Sequence, residues 1–197
     1  GMNSSRIARF GSGDLFSLSP LSMFPALTVA MFLLRSLWTM PVEHPDFLRQ
    51  FYWAAEIART GDWTILLMDH HTLRWPAMLP QVLVAHVMGD RYEGLGFLPL
   101  LAFSAYWALA LVLMRNELEP PALVLLALAL VLDPMGFLVS NGFFISGLGI
   151  LFVLAGIYCL VSSRQEAGVL RVIAAGFLFF CAYGVHVTHL GFAAGAM

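Results

Sequence analysis

A series of apolar runs long enough to cross a lipid bilayer as helices narrows the possible folds of this chain more than anything else in it. A helix rises 1.5 Å per residue, so about 20 apolar residues span the roughly 30 Å of hydrocarbon. Residues 21–39, 95–114, 122–139, 143–161 and 169–187 meet that length or come close to it. Composition agrees, since 60% of the 197 residues are hydrophobic and 11% are charged. A water-soluble domain averages about 45–50% apolar residues and could not cover this much apolar surface. Inside hydrocarbon every backbone polar group must be paired within the protein, which leaves helices or closed barrels. Runs of this length select helices. The expected fold is therefore all-α: a polytopic transmembrane helical bundle of about five spans, forming a single membrane domain over residues 1–197. The formal net charge of −2 carries no basic excess and gives no reason to expect a nucleic-acid partner. Cys159 and Cys181 both lie inside apolar runs, where a thiol packs as a small hydrophobe.

A further run, 77–88, is too short to span. It contains Gln81 and His86, and Pro76 and Pro80 lie at its start. An interfacial or re-entrant helix suits it better. The basic residues, all of them Arg, then set the orientation. With five spans, Arg6 and Arg9, then Arg115, then Arg164 and Arg171 fall on one side, in short segments. Cytoplasmic loops carry such an excess, so residues 2–20 are expected to be a cytoplasmic tail. Counting 77–88 as a sixth span would move Arg115, Arg164 and Arg171 to the other side. Residues 40–94 become a long outer loop in which acids outnumber arginines. Loops of this length are usually functional or disordered, and its helical pattern argues against disorder.

Within that loop the spacing predicts an amphipathic juxtamembrane helix starting at Asp46 as N-cap and stopping at Gly61. Phe47, Leu48, Phe51, Tyr52, Ala55 and Ala58 would form its apolar stripe, with Arg49, Gln50, Glu56 and Arg59 on the polar side. Arg74 precedes Pro76 and the short helix, where exposed N–H groups and a guanidinium would together hold an anion. Snorkelling to lipid phosphates is the plainer role for Arg74. Asp69, His70 and His71 are weak candidates for a divalent metal, because adjacent histidines point in different directions on most backbones. Arg35, near the outer end of the first run, is expected to snorkel out of the hydrocarbon. Asp133, before Pro134, either faces a cleft or ends a helix. The glycines at 142, 147, 149 and 156 suit close helix packing.

The order of these elements resembles the polyprenyl-phosphate-dependent GT-C glycosyltransferases, nearest the protein O-mannosyltransferase and lipid A aminoarabinose transferase branch. The resemblance rests on Asp46, the helix after it, "GDW" at 61–63, and the basic residue before proline at Arg74, with Trp75 intervening. It extends through "MGDRYEGLGFLPLL" and "RNELEPPALVLLALALVLDPMGFLVSNG", covering residues 41–158. It implies a membrane glycosyltransferase that moves a sugar from a polyprenyl-phosphate donor to an acceptor on the outer face. Asp46 takes the position of the catalytic carboxylate and Arg74 that of the donor-phosphate ligand. Glu43, His44 and Asn141 complete the expected substrate-binding set, Asn141 standing where the family often has Asp. The resemblance also implies a bacterial inner membrane location. Family members usually run to several hundred residues, so the expectation is either a shortened relative or the first part of a longer chain, with an additional subunit or C-terminal portion as partner. The alternative is a non-catalytic module of the same ancestry that binds polyprenyl lipid or another subunit.

Overall fold

The structure, a computed structural model, describes residues 20–37, 45–68, 74–89, 91–133, 144–163 and 168–185. These form an all-α protein of seven α-helices: α1 (Pro20–Ser36), α2 (Pro45–Thr60), α3 (Trp75–Met88), α4 (Tyr92–Met114), α5 (Pro120–Leu132), α6 (Phe144–Ser163) and α7 (Val169–Val185). A 3₁₀ turn, Trp63–Leu67, lies between α2 and α3. Among the described residues one stretch, Gly96–Met114 of α4, is both long and apolar enough to cross a membrane; α1, α3, α5, α6 and α7 contribute shorter apolar stretches.

Prolines and glycines set several boundaries. Pro20, Pro45 and Pro120 are first residues of helices, where a fixed φ helps and the missing N–H costs nothing. Gly61 ends α2 as expected: its φ is +71° and its N–H donates to Ile57 O at 2.8 Å. An L-residue rarely takes that φ, whereas glycine does so freely. Asp133 ends α5 with φ −60° and ψ 115°, the extended conformation that a following proline favours.

Helix α4 is the hub and packs on α1, α3, α5 and α6. It buries two stripes. Phe103, Trp107 and Leu111 follow the i, i+4 spacing and meet Met31 of α1 and Val131 of α5. Leu98 and Ala102 join Phe51 of α2, Ala77 and Ala85 of α3, Leu148 of α6 and Val185 of α7. Leu98 and Leu148 lie near the starts of their helices and Val185 ends its own. The α2–α3 pair therefore packs across one end of the bundle. Gly184 of α7 lies against Pro76 there, and the Trp75 ring sits 6.5 Å and 6.2 Å from Phe177 and Phe180.

The sequence places Arg49, Gln50, Glu56 and Arg59 on the outer face of α2 and Tyr52 on the inner one. The structure rotates that stripe. Gln50 is 0% exposed and packs inward with Phe51, Ala54 and Ile57, while Tyr52 is 64% exposed. The reason lies on α3, where Gln81 supplies a polar partner for Gln50. Asp46 also moves by one position: with Pro45 as the first helical residue, Asp46 is the second, inside the first turn. An acid there still suits the helix dipole.

Two glycines carry the closest helix approaches. A Cβ at Gly147 would lie 2.4 Å from the Phe103 ring, and one at Gly156 would lie 2.6 Å from Phe179. Small residues at these crossings let α6 meet α4 and α7. Replacing Gly147→Val should destabilise the fold by about 1–3 kcal/mol through overpacking. Gly176→Ala, where a Cβ meets nothing within 4 Å, should be neutral or slightly stabilising. Unfolding midpoints in mixed detergent would show the contrast, and equal midpoints for both variants would refute it.

Candidate functional site

The described part of the expected outer loop consists mainly of the α2–α3 pair and the 3₁₀ turn between them. The connection between these helices begins with a local cap. Asp62 starts the 3₁₀ turn, its Oδ1 accepting from Thr64 N at 2.9 Å and from Thr64 Oγ1 at 2.6 Å. Those bonds hold the Asp62 carboxyl below its ordinary pKa. The aspartate of "GDW" thus serves the backbone, satisfying an amide donor of the turn that carries the chain from α2 toward α3.

Helix α3 starts from Arg74, whose carbonyl accepts from Ala77 N at 2.9 Å and Met78 N at 3.1 Å. The Arg74 side chain makes no capping hydrogen bond, and the residue is half-buried. Its position at the start of α3 agrees with the sequence reading. The backbone of Asp46 lies in the first turn of α2, while its side chain falls outside the described residues. Glu43, His44, Asp69, His70, His71 and Asn141 also lie outside the described residues. Among the described residues no three His, Cys, Asp or Glu side chains gather as a metal site would need.

Sequence reasoning missed three features. The first is the buried contact that holds the pair together. Gln81 Nε2 donates to Gln50 Oε1 at 3.3 Å and to Ala77 O at 3.0 Å, with both glutamines 0% exposed. Gln81 Oε1 accepts no hydrogen bond among the described residues. Ala54, Ile57, Ile65 and Met78, from α2, the 3₁₀ turn and α3, form a buried apolar cluster in the same pair.

The second is a cleft of about 490 Å³ between the two helices, lined by Tyr52, Glu56, Arg59, Ala85, His86 and Gly89. Glu56 accepts from Arg59 through both carboxylate oxygens, Oε2 from Nε at 3.1 Å and Oε1 from Nη2. This bonding raises the Arg59 pKa above its ordinary value. A solvent-facing pair of this kind adds little to stability. It does fix two polar groups at the wall of an open cleft.

The third is Arg35. Far from snorkelling outward, it is 2% exposed. Its Cζ sits 4.2 Å from the centroid of the Trp107 ring, and Nη2 donates to Asp133 O at 3.4 Å. Side chains on a helix lean toward its N-terminus, so Arg35 reaches back along α1 into the bundle. There it meets the ring face of Trp107 and the end of α5. Asp133 thus ends its helix and meets Arg35. A single arginine in an apolar run was the available signal; its partner, 98 residues away, was not visible.

Comparison with protein-family models, with curated proteins and with solved structures gives no match.

The buried glutamines provide a test of the pair. Gln50→Leu alone should destabilise by about 1–3 kcal/mol, because it removes one of the two acceptors of the buried Gln81 Nε2. Gln50→Leu combined with Gln81→Leu should recover most of that loss. Thermal unfolding of the three proteins measures the difference, and additive losses in the double variant would exclude the pairing.

Proposed function

We propose that this chain is a multi-pass membrane protein whose α2–α3 pair lies on the outer leaflet and works as the catalytic platform of a GT-C-type glycosyltransferase. The observation that carries the membrane part is the character of the outer faces. Val29 and Leu33 on α1, Leu125 and Leu128 on α5, and Ile173 and Phe177 on α7 are all exposed. Each large apolar side chain left in water forgoes about 1.5–3 kcal/mol of burial. Faces like these suit hydrocarbon and would make a water-soluble monomer aggregate. Arg115 and Arg171 belong to the end opposite α2–α3, in keeping with a cytoplasmic side there. Arg171 Nη1 donates to Ser162 O at 2.8 Å and so ties the start of α7 to the end of α6.

The catalytic part rests on the resemblance, and the placement of α2 and α3 across one end of an apolar bundle supports it. In this mechanism an acceptor hydroxyl attacks the anomeric carbon of the donor sugar. The bond from that carbon to the phosphate oxygen breaks, and the phosphate keeps the electron pair. Asp46 takes the hydroxyl proton as the new bond forms. Arg74 holds the phosphate, whose charge grows during departure, through forked N–H donors in a site drier than bulk water. Glu43, His44 and Asn141 would orient the substrates, and the polyprenyl chain would lie along the apolar helix faces.

A second reading is a non-catalytic module that binds polyprenyl lipid or another subunit. The Asp62–Thr64 cap favours it, because it accounts for "GDW" without chemistry.

Two measurements test these readings. In a background lacking Cys159 and Cys181, a membrane-impermeant maleimide added to intact cells should label Thr60→Cys on α2. It should label Asn116→Cys, in the α4–α5 turn, only after permeabilisation. The reverse pattern would overturn the topology. In a transfer assay, Asp46→Asn should lower turnover by roughly 10²–10⁴-fold while leaving donor affinity near normal. Arg74→Ala should weaken donor binding more than Arg74→Lys. Full turnover in Asp46→Asn would remove Asp46 as the base, whereas a parent chain that binds the polyprenyl donor without transferring sugar would favour the module reading.

A further inference from the structure

Helix α5 is too short for the position it occupies. Its 13 residues rise about 20 Å, against roughly 30 Å of hydrocarbon. It follows α4 through a turn in which Leu118 N donates to Met114 O at 3.0 Å, and it packs on α4 and α1. A helix that begins at the interface beside the end of α4 must therefore finish within the bilayer. The last carbonyls of a helix have no partner inside it. In water they are solvated, but in hydrocarbon each unpaired group costs several kcal/mol.

The structure brings a donor to that end. Arg35 is buried, lies over Trp107, and directs Nη2 at Asp133 O, the carbonyl immediately beyond α5. Its positive charge also suits a helix C-terminus. The rest of α5 packs through one face: Leu123, Leu126, Ala127 and Leu130 are partly buried against the Phe103–Trp107–Leu111 stripe, and Val131 is buried. Val124, Leu125, Leu128 and Leu132 face outward.

We propose that Arg35 is a latch that caps the intramembrane end of α5 and clamps this short helix as a strap over the α1–α4 groove. Prolines 120 and 121 begin α5 and give it a stiff pivot at the opposite end. Unlatching swings the Asp133 end away from α1 and opens the stripe around Trp107 to lipid. The inference rests on the bilayer placement proposed above and is independent of the chemistry assigned to Asp46 and Arg74.

The test uses the full chain in phosphatidylcholine nanodiscs, with Cys159→Ala and Cys181→Ala. Spin labels are placed at Leu33→Cys on α1 and Leu132→Cys on α5, both exposed positions. Pulsed dipolar spectroscopy should give one narrow distance distribution in this parent protein. Arg35→Met should add a longer-distance population, and Arg35→Lys, which keeps the charge without the planar fork, a smaller one. If Arg35→Met does not fold, Arg35→Lys decides the matter. Distributions that superimpose on the parent, or a parent distribution already broad, would overturn the latch. Flotation with phosphatidylcholine vesicles is scored separately. A chain that fails to float refutes the bilayer placement, whereas a floating chain with unchanged distances refutes the latch alone.

Discussion

Two-sided burial of α4 organises the bundle. An amphipathic surface helix hides one stripe, but α4 hides two, with Phe103, Trp107 and Leu111 turned to α1 and α5 and Leu98 and Ala102 turned to the other helices. A helix covered in this way can carry few polar groups of its own. Ser104 shows how one is accommodated: it is fully buried, and its hydroxyl donates to Leu100 O at 2.7 Å one turn back. With α4 as a rod, the helices around it need only one packed face each, and the outer faces of α1, α5 and α7 stay apolar.

That arrangement explains where polarity can be tolerated. The glutamine contact between α2 and α3 and the arginine between α1, α4 and α5 both lie at helix junctions. A polar side chain there reaches a partner on another element, so its desolvation is offset. It also restricts how the helices rotate about their axes. Turning α2 to expose Gln50 would take one acceptor from the buried Gln81 amide, whereas turning it to bury Tyr52 would demand a partner for a phenol. The rotated stripe of α2 is the outcome of that competition.

The same logic divides the molecule into two environments. The bundle offers apolar faces along its length, and the α2–α3 pair gathers polar groups at one end, including the Glu56–Arg59 pair and the exposed His86 beside an open cleft. A reaction between a lipid-borne group and a water-borne acceptor needs such a boundary. The proposed roles of Asp46 and Arg74 draw on it: each stands at or near the start of a helix, where unpaired N–H groups favour anionic partners.

The all-α character, most helix positions and several of their ends were legible in the residues alone. These follow from local physics: apolar length, proline at helix starts, Gly61 in a left-handed conformation, and Asp133 ahead of a proline. Gly147 and Gly156 were marked in the same way, since small residues in apolar helices signal close crossings. The inward turn of Gln50, the outward turn of Tyr52, the burial of Arg35 and the cleft beside Glu56 and His86 emerged only when the helices packed. The two polar burials depend on partners distant in the chain, 31 residues for the glutamines and 98 for the arginine. Periodicity reports how apolar a residue is, whereas burial of a polar group is settled by whether another helix presents the matching donor or acceptor when the elements pack.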